Sequence, residues 1–246
     1  MISNRESKFI KSLQLKKFRQ LENQFVVEGA KNVLELLKSD LKVVKIYTTT
    51  SFQIINNELL ENSGIELVNV KEAELSKVGT FSNNNAALAV VEIPTYLPLD
   101  QSQSVLAFDR IKDPGNLGTV IRIADWYGFT DIVCSPESVD CYNPKVISAT
   151  MGSFARVRVH YLPLDELLAN SNHVYGTTLQ GENIHQLEFQ EPAVVVFGNE
   201  SEGLADHLKK YLTKEVYIPG YGGAESLNVA VSTAVFCDNF KRIIGS

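Results

Sequence analysis

The sequence predicts an α/β protein in two parts, a smaller one followed by a larger one, and three observations carry that expectation. Short apolar runs that read as strands alternate along the whole chain with segments of helical periodicity. The strands of the second half are apolar throughout, as expected where a parallel sheet is covered on both faces. Between the halves, PTYLPLDQSQ brings together two prolines and four consecutive polar residues, which break both periodicities and read as a linker. The predicted organisation is a domain at 1–93, a linker at 94–103 and a domain at 104–246.

The elements follow in order. Ser3 with Glu6 three residues later makes a capping-box pattern, so a first helix is expected from there to about Leu21. FVVEG is a strand stopped by Gly29, followed by the helix AKNVLELLKS and the strand VVKIYTT. A helix around IINNELLENS, a strand ELVNV, a helix KEAELSKVG and a strand AALAVVEI complete the smaller part. The larger part opens with strand VLAFD, helix LGTVIRIADWYG, strand DIVCS, helix PKVISATMGSF and strand VRVHYL. It continues with helix LDELLAN, strands VYGTTL and AVVVFG, helix LADHLKKYL, strand EVYIP and a final helix after a glycine-rich stretch.

Composition narrows the function classes. At 246 residues and 44% hydrophobic, the chain can bury two modest cores. No apolar run approaches the ~20 residues of a membrane span, and MISNRESKFIK lacks the apolar core of a signal peptide, so a cytoplasmic protein is expected. Cys134, Cys141 and Cys237 have no metal-ligand spacing and are odd in number, which fits thiols in a reducing compartment and no metal site. Net charge is −6, yet residues 1–50 hold ten Lys/Arg against five Asp/Glu. Within them KSLQLKKFRQ has four bases and no acid. That run reads either as a solvated helix face or as a contact to an RNA backbone through Lys16, Lys17 and Arg19.

Ligands of parallel α/β sheets bind at the carboxyl ends of the strands. Three loops there stand out: DRIKDPGNLG, GNESEGL and PGYGGAESLN. The last has three glycines in four residues, Gly220 to Gly223, and reads either as a phosphate cradle at a helix start or as a flexible loop capped by Ser226. A dinucleotide fingerprint is not supported, because DPGNLG offers only Gly115 and Gly118, and no G-x-x-x-x-G-K-[ST] occurs. The four histidines lie outside these loops, which disfavours a Ser-His arrangement or a zinc centre. What the loops supply is Asn116, Arg122, Asn199, Glu200, Ser226 and Asn228, a set suited to hydrogen bonding with a polar substrate and an adenosine-like ligand.

DPGNLGTVIRIADWYGF, VVFGNESEGL and IPGYGGAESLNVAVSTAVF, in that order, resemble the three signature motifs of the SpoU (TrmH-like) RNA ribose 2'-O-methyltransferases of the SPOUT class. The N-terminal half, most clearly FVVEGAKNVLELL, is similar to the ribosomal-protein-like substrate-binding domain of many members. The resemblance implies a trefoil-knotted methyltransferase domain, a homodimer formed through it, and S-adenosylmethionine as cofactor. It implies a cofactor site in which the adenosine meets backbone at Leu179, Gly198, Ile218 and Leu227, with Asn199 and Pro219 also binding the cofactor and Gly181 and Gly203 letting the chain turn nearby. The catalytic set it implies is Arg122, Asn116, Glu200, Ser226 and Asn228. The expected reaction is 2'-O-methylation of a ribose in structured RNA, ribosomal before tRNA; the alternative outside enzymes is an RNA-binding protein that keeps the fold. Ser201 stands where a glycine is common and Ser148 where several relatives place an arginine.

Overall fold

The structure, a computed structural model, describes residues 1–244. In chain order its first ten elements are α1 (Asn4–Ser12), α2 (Lys16–Glu22), β1 (Gln24–Glu28), α3 (Ala30–Leu36), β2 (Val43–Thr48), α4 (Thr50–Ile55), α5 (Asn57–Asn62), β3 (Leu67–Asn69), α6 (Glu72–Val78) and β4 (Ala87–Glu92). There follow β5 (Val105–Phe108), α7 (Pro114–Trp126), β6 (Asp131–Cys134), α8 (Pro144–Thr150), β7 (Arg158–Tyr161), α9 (Leu164–Ala169), β8 (His173–Asn183), β9 (Ala193–Phe197), α10 (Asp206–Lys209), β10 (Lys214–Tyr217) and α11 (Val229–Ile244). The chain packs as two compact units, one of Met1–Tyr96 with Asp140–Ala155, the other of Leu97–Val139 with the residues from Arg156 onward.

The first unit holds a four-stranded sheet in the order β1-β4-β2-β3, antiparallel except for the β2–β3 pair. Ser3 caps α1 in the expected box: its hydroxyl accepts from Glu6 N at 3.2 Å and the Glu6 carboxylate accepts from Ser3 N at 3.0 Å. The Ser3 hydroxyl and amide, with help from Tyr47 and Lys45, hold the Glu6 carboxyl down at about 2.

The single helix expected from Ser3 to about Leu21 is two helices, broken at Leu13–Leu15. The reason is burial. At about 100° per residue, an unbroken helix would turn Arg19 to the side opposite Ile10, yet Ile10, Leu13 and Arg19 are all buried. Arg19 is only 2% exposed, donates from Nη1 to Leu13 O at 2.9 Å, and grips Asp140 Oδ2 with Nε at 2.9 Å and Nη2 at 2.5 Å. Its expected place on an RNA-facing surface is therefore corrected: Arg19 is a core ion-pair residue. Lys16 and Lys17, its companions in KSLQLKKFRQ, are exposed.

The helix expected around IINNELLENS is also two, α4 and α5, because Thr49 caps α4 by accepting from Phe52 N at 3.3 Å and Asn56 leaves helical geometry. A larger difference concerns Asp140–Ala155, expected within one uninterrupted domain at 104–246. Its side chains Ile147 and Phe154 join the core of Phe25, Val27, Val33 and Leu36, and Tyr142 lies 4.6 Å from Phe25 between ring centroids. By packing, this segment completes the first unit.

The second unit is a six-stranded sheet in the order β10-β8-β9-β5-β6-β7, parallel throughout. Three of its four inner strands, β5, β6 and β9, are buried along their whole lengths, which is why their sequences show no alternation. Strand β8 is longer than expected and irregular. Lys214 and Glu215 of β10 pair with Tyr175 and Gly176, but Val216 pairs with Glu182, so Thr177–Gly181 loops out of the ladder. Gly181 closes that loop at φ 118°, where an added Cβ would sit 2.3 Å from Glu215 O. No other residue type fits there.

Candidate active site

The carboxyl ends of β5, β8, β9 and β10 place all three motif loops at one edge of the second sheet. After β5 the chain enters α7 through Asp113, whose carboxylate accepts from Asn116 N at 2.8 Å, with Pro114 opening the helix. Asn116 is thus fixed in the first turn. Its Nδ2 donates to Glu200 Oε1 at 2.9 Å, and because a carboxylate only accepts, that bond turns Oδ1 the other way. Asn228 Nδ2 donates to Asn116 Oδ1 at 2.9 Å, while its own Oδ1 accepts from Ala230 N and caps α11. One residue from each motif is joined in the chain Asn228–Asn116–Glu200.

The loop after β9 is held from below. Asn199 and Gly203 exchange backbone hydrogen bonds at 3.0 and 2.9 Å, and Asn199 Oδ1 accepts from Ser201 N and Glu202 N. Gly198 has no room for a side chain, since an added Cβ would lie 2.2 Å from Leu204 N. Two residues that sequence reasoning missed tie this loop to the one after β5. Asp109 is buried, accepts from Ala205 N at 3.0 Å and from Arg110 Nε at 3.1 Å. Arg110, left-handed at φ 54°, bonds Glu202 and Gly203 O through its guanidinium, and its own carbonyl accepts from Asn199 Nδ2 at 2.9 Å. Asp109, first among its causes, pushes the Arg110 guanidinium further toward the charged form. The available signal was an acid ending the otherwise apolar strand VLAFD.

The remaining expected residues fall into two groups. Gly198, Ile218 and Pro219 are half-buried at the strand ends, and Leu179 and Leu227 are exposed, Leu179 at 72%. With the looped-out Thr177–Gly181 they offer backbone polar groups beside apolar side chains, a donor set that fits an adenosine-bearing cofactor. Arg122 and Ser226 are exposed and stand outside the hydrogen-bonded chain. Among the described residues neither side chain has a hydrogen-bonding or ionic partner, and the α11 cap expected of Ser226 is made by Asn228.

Residues 103–238 match the model of the SpoU rRNA Methylase family, and residues 4–89 match the MRM3-like substrate binding domain. The chain is 35% identical over 237 residues, 94% of each chain, to the 23S rRNA (guanosine(2553)-2'-O)-methyltransferase of Bacillus subtilis. An AdoMet-bound rRNA methyltransferase from Sinorhizobium meliloti superposes with a TM-score of 0.86 at 27% identity, covering 98% of this chain and 96% of that one. The SpoU methyltransferase AviRb of Streptomyces viridochromogenes, also in complex with AdoMet, gives 0.87 at 23% identity over 99% of each chain, a likeness of fold alone. With its family model spanning more than half the sequence and three motif loops meeting at one sheet edge, this chain belongs to the SpoU rRNA methylase family.

Proposed function

We propose that the protein transfers a methyl group from S-adenosylmethionine to a ribose 2'-hydroxyl of structured RNA, with ribosomal RNA as the favoured substrate. The observation that carries this reading is the Asn228–Asn116–Glu200 chain at the start of α7, the helix that also carries the exposed Arg122, whose side chain has no partner among the described residues. Relatives named for ribosomal RNA 2'-O-methylation support the choice of atom and of RNA.

When bound, S-adenosylmethionine supplies a methyl group on a sulfonium whose departure leaves a neutral thioether. The protein's part is to bring the 2'-oxygen into line and to stabilise the charge it acquires. Backbone at Leu179, Gly198, Ile218 and Leu227 holds the cofactor, with Gly181, Asn199, Gly203 and Pro219 shaping the loops. An arginine side chain is a poor base, and the role given to Arg122 is a different one. It positions a substrate phosphate and stabilises the developing alkoxide, and the proton leaves through that phosphate or a water. Asn116, Asn228 and Ser226 bond the nucleotide, while Glu200 sets the orientation of Asn116.

Three further parts belong to the proposal. The first unit engages RNA through Lys16 and Lys17. The second closes as a trefoil knot and pairs with a second copy through α7 and α11. These helices run side by side, joined by Asn116–Asn228 at one end and by Tyr127 Oη to Asp238 Oδ1 at the other. Of their apolar residues, α7 exposes Trp126 at 84% and α11 exposes Val231 at 49%, surface that a partner copy would cover. A cytoplasmic location is supported by Cys134, Cys141 and Cys237 being buried thiols, with burial pushing Cys237 up to about 12. The reading is tested by incubating the protein with labelled cofactor and total RNA from a host deficient in the modification, then mapping the label. Label in no RNA would overturn it.

A further inference from the structure

The two sides of the site are built differently. Asn199–Gly203 is cross-linked to its neighbours on every side. Gly220–Leu227 is exposed at every residue, and among the described residues no hydrogen bond reaches it. Its ends are nonetheless fixed, with Tyr217 paired to Asn183 in the sheet and Asn228 bonded to Asn116. An exposed segment with no bonds to lose opens and closes at almost no cost.

Its glycines point the same way. Gly181 and Gly198 are glycines because backbone lies within 2.3 Å of where a Cβ would be. At Gly220, Gly222 and Gly223 an added Cβ would meet nothing within 4 Å, and none of the three has a positive φ. Neither packing nor backbone angle demands glycine in this conformation, so what these glycines provide is freedom to adopt another. Between them stands Tyr221, 94% exposed, the one aromatic residue in the three motif loops.

We propose that Gly220–Glu225 is a lid and that Tyr221 at its tip stacks on the base of the nucleotide being modified. The proposal rests on the RNA-methylation reading above. A ribose brought to Asn116 and Arg122 arrives with its base attached, and the motif loops offer that base no other aromatic face. The cofactor's adenosine is the weaker candidate partner, because of its expected contacts only Leu227 belongs to the exposed segment, six residues beyond Tyr221, and the Tyr221 ring is turned out to solvent. Stacking accepts any base. The lid would therefore hold the nucleotide without reading its identity.

The test uses the full chain with an unmethylated ribosomal RNA transcript. Tyr221→Ala should raise the KM for RNA by about tenfold or more, with the affinity for S-adenosylmethionine measured without RNA unchanged. Tyr221→Phe should behave as wild type, since the ring and not the hydroxyl is needed. Amide exchange across Gly220–Glu225, short of the cofactor-holding Leu227, should be fast in the free protein and with cofactor product alone, and slow once RNA is added. An unchanged KM for RNA in Tyr221→Ala, or protection by cofactor product alone, would overturn the lid while leaving the methylation reading intact. A wild-type protein that methylates no RNA would remove both.

Discussion

Asn228 donates from Nδ2 to Asn116 Oδ1 at 2.9 Å, and this bond ties the first turn of α7 to the start of α11 across 112 residues of sequence. The same Asn116 amide reaches Glu200 at 2.9 Å, so both of its ends are committed. Asn116→Ala cuts both links at an exposed place where water replaces them, and stability should fall by no more than about 1 kcal/mol. Turnover should fall at least tenfold with cofactor affinity nearly kept, as when an interaction made in the transition state is removed. Single-turnover rates beside calorimetric titration separate the two, and an unchanged rate would take Asn116 out of the mechanism.

Arg122 is exposed and engages no partner among the described residues, so its charge is not spent on the fold. Arg122→Ala should therefore leave thermal unfolding within about 0.5 kcal/mol of wild type. Cofactor affinity should stay within a few-fold, while methyl transfer is abolished. Arg122→Lys should restore little, because a point charge does not reproduce the planar fork that grips a phosphate. Turnover by the alanine variant at the wild-type rate would contradict the role given to this residue.

Arg19 and its neighbours Lys16 and Lys17 should separate cleanly. Breaking the buried Arg19–Asp140 pair with Arg19→Ala strands a carboxylate and should cost about 3–5 kcal/mol of stability. Lys16→Ala with Lys17→Ala should leave stability almost untouched. It should instead weaken RNA binding and flatten the salt dependence by about 0.7–0.9 of a unit of slope per lost phosphate contact. A salt slope equal to wild type would return these lysines to an ordinary solvated face.

The exposed face of α7 and α11 is expected to be covered by a second copy. Light scattering at micromolar concentration should give twice the chain mass, and Trp126→Glu should shift the distribution to monomer by placing a charge where apolar surface is buried. A wild-type monomer under those conditions would contradict the pairing.

What was legible in the sequence was local. The Ser3–Glu6 box, Pro114 at the start of α7 and the apolar parallel strands follow from residue types a few positions apart. The break between α1 and α2 was not legible, because it depends on Arg19 finding Asp140, 121 residues away. Nor was the packing of Asp140–Ala155 into the first unit, which rests on Tyr142 and Phe154 meeting Phe25. At the site, the motif residues could be named from resemblance, but not which of them touch. Asn116, Glu200 and Asn228 are bonded while Arg122 and Ser226 stand apart, and Asp109 and Arg110 hold the loops although neither looked like more than the end of a strand.

The most direct test of the account is the identity of the atom that receives the methyl group. With the modified nucleotide mapped, an RNA carrying a 2'-deoxyribose at that single position should accept no label, although it still binds. In the natural RNA the modified linkage should survive alkali and appear as a gap in the hydrolysis ladder, since the hydroxyl that attacks the adjacent phosphate is blocked. Transfer that persists on the deoxy substrate, or label recovered on a methylated base after complete digestion, would contradict the assignment.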